Sequence, residues 1–486
     1  MKKKALHIFF FILINLVFMC CAAAWMFGGA VAAAEKQSAD AESALSLQQV
    51  VGLALQHNSN LSSQYNALSG SMLSLESSRS DFDIQLTPVG NLDVSGGSEN
   101  ADRADYYLGA TMSREFSTGS RIAVTPGVAR KEDGSGSIYQ SSVGLRLTQP
   151  LFRGISPEYN LSSVNSAEFS VRSARRRYFL AQVDVFLQTV NGFYSILLQK
   201  ELVETRAQSV QRLESFAQSA KLKRSIGLAD PEDEYRAVQR MKQAKDDLVA
   251  NEQALELAED NLRQILNWPA TRPIHIDGDL TQEPVTVNEA QVIETALNNR
   301  VEIVEAEDLL REKYRLSRVA RHRLLPELDI SIYYTPYGED SSLRDAVQLK
   351  DSRWGLTLST DSDIFRRKEK AEFQRSLLAI DDAKRYLSNE KDDIVREVRE
   401  TIRNLHESLS RIELQKERAL EAERQLEISR LKFKYGMTNN FDLIDAESVF
   451  SSARTNVENA KAQYIIGIYQ LRAAMGTLLD FPEEAL

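Results

Sequence analysis

The chain has 486 residues, of which 43% are hydrophobic and 26% charged, and a net charge of −10. Its mean hydropathy of −0.33 excludes a protein made of many membrane-spanning helices, because each of those needs about 20 consecutive apolar residues. A pI near 5.3 argues against a nucleic-acid-binding protein, which would normally present a basic face.

The N-terminal segment 1–34 has the pattern of a signal peptide. Three lysines are followed by an apolar run that ends at Met19 and by small residues as far as Ala34, which is the order found in secretory signals. Both cysteines, Cys20 and Cys21, lie in this segment, so we expect an exported mature chain without disulfides. An uncleaved anchor, lipidation at a cysteine and a different cleavage site stay open as alternatives.

An internal repeat organises the rest of the chain. The helix-opening segment 47–61 resembles the segment 288–303, and each leads into a stretch of alternating residues. Such repeats have to be recognised before a fold is assigned. We predict a first repeat at 45–267, a proline-containing linker at 268–287, a second repeat at 288–477 and a short tail at 478–486.

β-strands are predicted at 84–151 in the first repeat and at 327–359 in the second. Polar and apolar residues alternate in both stretches, and a period of two indicates strands with two different faces. The first stretch is longer by what we interpret as an extra hairpin, at 106–116 and 121–131. The sequence leaves open whether each chain supplies four strands or six.

Each repeat then predicts two helices. They are expected at 158–226 and 228–267 in the first repeat, and at 366–435 and 437–476 in the second. A helix of about 70 residues is ~105 Å long, which is too long for a compact domain, so it must pack along other long helices. Gly227 and Gly436 mark the turns within the two pairs.

The shorter helix of each pair has coiled-coil spacing, with small or apolar residues at steps of three and four. In the first repeat these positions are Ala237, Met241, Ala244, Leu248, Asn251, Leu255, Ala258, Leu262 and Ile265. In the second they are Ala446, Val449, Ala453, Val457, Ala460, Tyr464, Gly467, Leu471 and Ala474. Displacing the first set so that Ala237 falls on Ala446 brings most positions into coincidence, which supports the duplication.

Short strands between very long helices favour a membrane barrel. A pair of strands alone is marginal and has open edges, so several copies of the chain would have to close a barrel whose apolar face meets lipid. Candidate aromatic residues for the membrane interface are Tyr106, Tyr107, Tyr333, Tyr334, Tyr337 and Trp354. A soluble β-layer flanked by coiled coils is the alternative.

Three passages carry a family resemblance. They are Leu147-Thr-Gln-Pro-Leu-Phe-Arg-Gly154, Tyr435-Gly-Met-Thr-Asn-Asn-Phe-Asp-Leu-Ile-Asp-Ala446, and Ala460-Lys-Ala-Gln-Tyr464 followed by Leu471-Arg-Ala-Ala-Met-Gly476. The first is similar to the strand-to-helix exit of the TolC-type outer-membrane efflux proteins, the second to their helix-tip motif and the third to their closing motif. Together with the duplication, the chain resembles this family over about residues 45–477.

The resemblance implies an α+β membrane protein of the outer membrane with a long periplasmic extension. Long antiparallel coiled-coil helices would form an α-helical barrel, and short strands would form a transmembrane β-barrel shared by a homotrimer. The protein would be the passive exit duct of a tripartite efflux or type I secretion system. Its partners would be a periplasmic adaptor, an inner-membrane pump of the RND or ABC type, and outer-membrane lipid. The substrate and the pump class stay open.

The resemblance also implies the site residues. Asp442 and Asp445, which share one helix face, would form the pore aperture, where three copies would attract cations; helix capping by one of them is the alternative. Tip turns and adaptor contacts would involve Gly227, Gly436, Tyr435, Asp233 and Thr438. The strand-to-helix exit would involve Pro150, Phe152 and Gly154. Thr438 stands where the family can have a basic residue, so a salt link from that position is not expected.

A basic cluster near the start of the first long helix has two interpretations. Arg172, Arg175, Arg176 and Arg177 either meet anionic lipid headgroups or form a solvated helix face.

No enzyme motif competes with the channel prediction. The five histidines are scattered, without H-E-x-x-H or C-x-x-C spacing, so neither a metal nor another cofactor is expected. The alternative functions are a periplasmic coiled-coil scaffold without channel activity and an exported enzyme of the glycosidase type. The latter would need a pocket with two opposed carboxylates.

Overall fold

A computed structural model of the chain describes residues 44–480, apart from 98–99, 134–135, 228, 282, 436 and 439. The predictions for the signal peptide, for Gly436 and for the end of the tail lie outside the described residues. The helices are α1 (Leu47–His57), α2 (Ser59–Ser80), α3 (Pro157–Asn160), α4 (Ser162–Ser225), α5 (Pro231–Ile265), α6 (Glu289–Asn299), α7 (Val301–His322), α8 (Leu343–Ala346), α9 (Arg367–Lys434) and α10 (Asn440–Ala474). The strands are β1 (Gln85–Gly97), β2 (Asn100–Glu115), β3 (Arg121–Asp133), β4 (Gly136–Pro150), β5 (Asp329–Asp340) and β6 (Asp351–Ser359).

The two halves open with helix pairs of matching length. Helices α1 and α6 have 11 residues each, and α2 and α7 have 22 each. Ser46 and Gln49 form a capping box at the start of α1, and the side chain of Asn288 accepts a hydrogen bond from Ala290 at the start of α6. Both arrangements satisfy backbone N–H groups that the first helical turn leaves free.

All six strands form one antiparallel sheet in chain order, β1-β2-β3-β4-β5-β6. The extra hairpin is β2–β3, and it pairs with β1 on one side and β4 on the other. The single described chain therefore contributes six strands and not four. Among the described residues, no strand pairs with the outer edge of β1 or of β6.

One face of the sheet is apolar across all six strands. The register places Leu86, Met112, Val124, Leu145, Tyr334 and Trp354 side by side in one row. The next row towards the helices includes Ile122, Leu147, Ile332 and Leu356. Most of these side chains are exposed in the single chain, Trp354 by 78%. A continuous exposed apolar face of this extent marks an interaction with lipid or protein.

The aromatic residues predicted for a membrane interface do not share one face. Tyr107, Tyr333 and Tyr337 lie on the polar face, opposite to Tyr334 and Trp354, because neighbouring strand residues point to opposite sides. The Tyr107 ring covers the facing Gly109 and Gly127, and the Tyr333 ring covers Gly355. The guanidinium of Arg353 lies 4.1 Å from the centre of the Tyr337 ring. The expectation of one shared aromatic face is therefore wrong for these three tyrosines, of which Tyr107 and Tyr333 fill space above glycines.

A Thr-Pro step recurs in every second strand. Pro88, Pro126 and Pro336 occupy the same row of the sheet in β1, β3 and β5, each after a threonine. The β2–β3 and β4–β5 ladders each lack two residue pairs beside Pro126 and Pro336, as expected because proline has no N–H to donate. The strand pairs β1–β2, β3–β4 and β5–β6 are thus variants of one pattern.

The long helices pack as two hairpins, α4 with α5 and α9 with α10. The predicted seam positions of α5 are buried or half-buried, whereas Val449 of α10 is 45% exposed and Phe450 is 8% exposed. The choice of Val449 is therefore wrong. Phe450 fills the seam because the step from Ala446 is four residues, as in the first repeat.

The segment between the halves belongs to the core. Ile274, Ile276 and Leu280 are buried against Phe193 of α4 and Leu262 of α5. Within the part of the chain that the structure describes, no helix combines the length and apolarity needed to cross a membrane.

Two of the four arginines in the basic cluster of α4, Arg172 and Arg176, pair with carboxylates of the other repeat, which neither interpretation of the cluster anticipated. Arg176 is 1% exposed and contacts Glu305 at 2.5 Å and Asp308 at 2.7 Å, both on α7. Arg172 also donates hydrogen bonds to Asp308. The carboxylates that pair with these arginines lie in the other repeat, far away in sequence, so no local pattern reveals them.

Candidate functional site

The first tip is the turn from α4 to α5. Gly227 has a φ of +73°, which glycine adopts without steric cost, and its N–H donates to the carbonyl of Arg224 at 3.0 Å. Helix α5 then begins at Pro231, after Asp230 accepts a hydrogen bond from the Glu232 N–H. Proline at the first helical position and an aspartate cap both favour a sharp helix start.

The second tip joins α9 to α10. Tyr435 is the capping residue that follows α9, and the Met437 N–H donates to the carbonyl of Lys432 at 2.8 Å. The Thr438 hydroxyl donates to the carboxylate of Asp442 in the first turn of α10. A negative side chain at this position is favoured by the N-terminal end of the helix dipole.

Polar contacts hold the two tips together. The side-chain amide of Asn440 donates to the backbone carbonyl of Asp233 at 2.8 Å, and Asn440 is buried. The Lys223 ammonium donates to the carbonyl of Phe433 at 2.8 Å and lies 3.6 Å from the centre of its ring. Of these residues only Asp233 was predicted at the tips, because Asn440, Lys223 and Phe433 carry no local sequence signal for their contacts.

The two aspartates predicted for the aperture point away from the packed helices. Asp442 and Asp445 are both exposed, on one side of the first turns of α10. Tyr435 is also exposed, as are the neighbouring apolar residues Met437 and Phe441. The second tip thus presents two carboxylates beside an apolar surface.

The predicted strand-to-helix exit is a tightly packed turn. Pro150 is buried at the end of β4, Phe152 is exposed, and Gly154 has a φ of +94°. The side-chain amide of Asn160 donates to the carbonyls of Gly154 at 2.6 Å and of Ser117 at 2.8 Å. The exit is therefore bonded to the turn of the extra hairpin, which contains Ser117.

That hairpin turn leaves no room for a side chain. Gly119 has a φ of +76°, and a Cβ atom there would lie 2.2 Å from the carbonyl oxygen of Gly154. The Gln149 side chain also donates to the carbonyl of Thr118 at 3.4 Å. The extra hairpin is thus fixed to the exit, a contact that no local sequence pattern predicts.

A histidine of the second repeat completes the exit. The Gly154 N–H donates to Nε2 of His322 at 3.3 Å, which requires this nitrogen to be unprotonated. Burial, together with the charge of Arg153, lowers the pKa of His322 below its ordinary value. Arg153 in turn lies 3.6 Å from Glu327, so the exit is tied to the segment that precedes β5.

The described residues hold no group of three or more His, Cys, Asp or Glu side chains that could bind a metal ion. What the arrangement offers is a pair of exposed carboxylates at the end of ~100 Å helices and an apolar sheet face at the other end.

Known proteins with this arrangement of long helices and an antiparallel sheet were found by comparison. A family model described as "Outer membrane efflux protein" matches residues 91–267 and 292–477. The curated outer membrane protein TolC of Salmonella enteritidis is 23% identical over 362 residues, covering 70% of each chain. The protein of the same name from Vibrio cholerae is 22% identical over 351 residues, covering 70% of this chain and 77% of its own. The solved CmeC outer membrane channel of Campylobacter jejuni shares the fold, with a TM-score of 0.71 at 16% identity, covering 90% of this chain and 87% of its own.

Proposed function

The chain belongs to the outer membrane efflux protein family, and on that premise we propose that it is the exit duct of a tripartite efflux or type I secretion system. Like the TolC proteins that it resembles, it is an outer-membrane efflux protein and not an enzyme. The observation that carries the finer proposal is the apolar face that runs through all six strands. Substrates would be delivered by an inner-membrane pump through a periplasmic adaptor and would pass without further chemistry.

Open strand edges support closure of the sheet by several copies of the chain, and the family resemblance supports three copies. The free edge of β6 and the free edge of β1 would cost unpaired backbone groups in a membrane. Pairing β6 of one copy with β1 of the next removes both edges. Three copies of this chain then close a barrel of eighteen strands, with the apolar face outside and the polar face lining the lumen.

The apolar face has the height of a membrane. It extends from the row of Ile330 and Leu358 to the row of Tyr106 and Tyr139, ten residues along a strand. At about 3.3 Å per residue and a tilt of about 40°, this is ~25 Å along the membrane normal, the height of the apolar band in outer-membrane barrels.

The helical hairpins support the periplasmic tunnel. Helix α4 has 64 residues and α9 has 68, so each is ~100 Å long. The tips lie at the end away from the sheet, where exposed apolar residues such as Tyr435, Met437 and Phe441 are suited to contacts with neighbouring copies and with an adaptor. The carboxylates of Asp442 and Asp445 would ring the opening between three such tips and attract cations.

Imaging and conductance test this proposal. We expect the mature chain, purified in detergent, to form a three-fold tube and to conduct ions in planar lipid bilayers. Leu356→Arg should abolish insertion, because an arginine on the lipid face costs about 2–4 kcal/mol. Thr357→Arg, on the opposite face of the same strand, should insert normally. A monomer that is soluble without detergent would instead support the periplasmic scaffold.

A further inference from the structure

A carboxylate is buried next to the proposed aperture. Glu447 lies on α10, two residues after Asp445, and is 3% exposed. A buried carboxylate is expensive unless charged or polar partners satisfy it. The partners of Glu447 come from α4 and α9. Glu447 therefore connects α10 to the two helices that also pack against its seam of small and apolar residues.

The partners of Glu447 surround its carboxylate. Nε of Arg212 donates to both oxygens, at 2.8 and 3.0 Å, and the hydroxyl of Ser209 donates at 3.0 Å. Both residues belong to α4 of the first hairpin. Arg430 of α9 approaches to 3.5 Å. One side chain of α10 is therefore bonded to both helical hairpins.

The geometry relates this carboxylate to the exposed aspartates. At about 100° per residue, Glu447 lies roughly 170° around α10 from the midpoint of Asp442 and Asp445. Fixing Glu447 towards Arg212 therefore directs the two aspartates to the opposite side. Of the neighbouring seam residues, Ala446 and Ala453 are small, whereas Leu443 and Phe450 are larger and buried. Apolar contacts of this kind have no preferred direction, so they define the rotation of α10 less sharply than hydrogen bonds do. Charge-assisted hydrogen bonds are directional and define it better.

We propose that Glu447 is the positioning residue of the aperture. Through Arg212 and Arg430 it sets the rotation of the first turns of α10 and so aims Asp442 and Asp445 into the opening. This inference rests on the proposed function, because it assumes that these aspartates line a channel.

The test measures ion selectivity of the trimer in planar bilayers, as the reversal potential in a potassium chloride gradient. Glu447→Gln should lower cation selectivity and raise conductance. Breaking a buried ion pair should shift the equilibrium between tips held by this pair and tips free to rotate by about tenfold or more. Glu447→Asp, which restores the charge, should recover part of the selectivity. The control is Glu421→Gln, because Glu421 is exposed and pairs only with Arg424 of its own helix in the described contacts.

A double variant separates positioning from stability. Arg212→Met combined with Glu447→Met replaces the pair by apolar side chains, which is often neutral or stabilising. We expect this variant to melt near the wild-type temperature but to lose selectivity. Wild-type selectivity in both Glu447→Gln and the double variant would overturn the positioning role alone. A wild-type protein that does not conduct would overturn the proposed function as well. Selectivity that is unchanged by Asp442→Asn with Asp445→Asn would place the aperture elsewhere and would overturn the positioning role without affecting the proposed function.

Discussion

The side-chain amide of Asn440 donates a 2.8 Å hydrogen bond to the backbone carbonyl of Asp233, and thereby joins the first turn of α10 to the first turn of α5. The bond is directed at the backbone, so it does not depend on the identity of the residue at 233. It connects the two tips of one chain.

Asn440→Ala should loosen the tips. The change removes the hydrogen bond and leaves the Asp233 carbonyl without this donor, at a cost of about 1–3 kcal/mol. We expect faster hydrogen exchange in the first turns of α5 and α10. Asn459→Ala is the control, because the Asn459 amide bonds to Thr455 of its own helix. Equal exchange in both variants would contradict a role of Asn440 in joining the tips.

Asp442→Asn and Asp445→Asn should each reduce cation selectivity, and the double variant should reduce it most. Carboxylates of three copies repel one another and recruit cations, and the amides keep the shape without the charge. The reversal potential in a salt gradient measures the effect. Asp246→Asn changes an exposed aspartate further along α5 and should leave the potential unchanged. A double variant as selective as the wild type would place the aperture elsewhere.

Gly119→Ala should destabilise the exit. Its Cβ would meet the Gly154 carbonyl, and a positive φ is strained for alanine, so we expect a loss of about 1–3 kcal/mol and a lower melting temperature in detergent. Gly70→Ala is the opposite control, since Gly70 is helical with no atom within 4 Å of its Cβ position. That change should stabilise by up to about 1 kcal/mol. Wild-type melting of Gly119→Ala would contradict a docked turn.

Asp308 should make the stability of the fold decrease at low pH. Burial alone would raise the pKa of Asp308, but hydrogen bonds and charges from Arg172 and Arg176 outweigh it and hold the pKa below 3.8. A lowered pKa stabilises the fold above the unfolded value, and this contribution is lost as pH falls through the folded value. Asp308→Asn should therefore lose about 3–5 kcal/mol at neutral pH and lack this step in a melting series.

The control for that series is Asp382→Asn. Asp382 is exposed and pairs with Arg385 one turn away, and such surface pairs contribute about 0–1 kcal/mol. If Asp308→Asn and Asp382→Asn melted alike across the series, the buried cluster would carry no special stability.

His322 should add a second pH dependence at milder acidity. Its pKa is lowered below 6.5, so its contribution is present above pH 6.5 and is lost as pH falls through the folded value. His322→Gln keeps an acceptor for the Gly154 N–H but does not titrate. We expect its melting temperature to fall less than that of the wild type between neutral pH and about pH 5. Parallel pH profiles would contradict the prediction.

The sequence indicated the repeats and the tip turns because both rest on local patterns. Helical and strand periods identify which side of an element is apolar, and Gly227 marks a turn by its own conformational freedom. The same reasoning failed by one position at Val449, since a step of three and a step of four both keep a residue near the seam. In each strand pair the first strand has a Thr-Pro step and the second strand has a glycine, at Gly109, Gly144 or Gly355. This threefold pattern could have indicated six strands.

The tertiary structure alone decided which distant groups meet. Arg176 and Asp308 are 132 residues apart, Asn440 and Asp233 are 207 apart, and Ser209 and Glu447 are 238 apart. The period of a helix states which face a side chain occupies but not which helix it faces. Burial of a charge is set by that neighbour, because the cost of desolvation is met only where an opposite charge is packed against it. The sequence by itself therefore determined the elements and their faces, and chain packing determined their ionic connections.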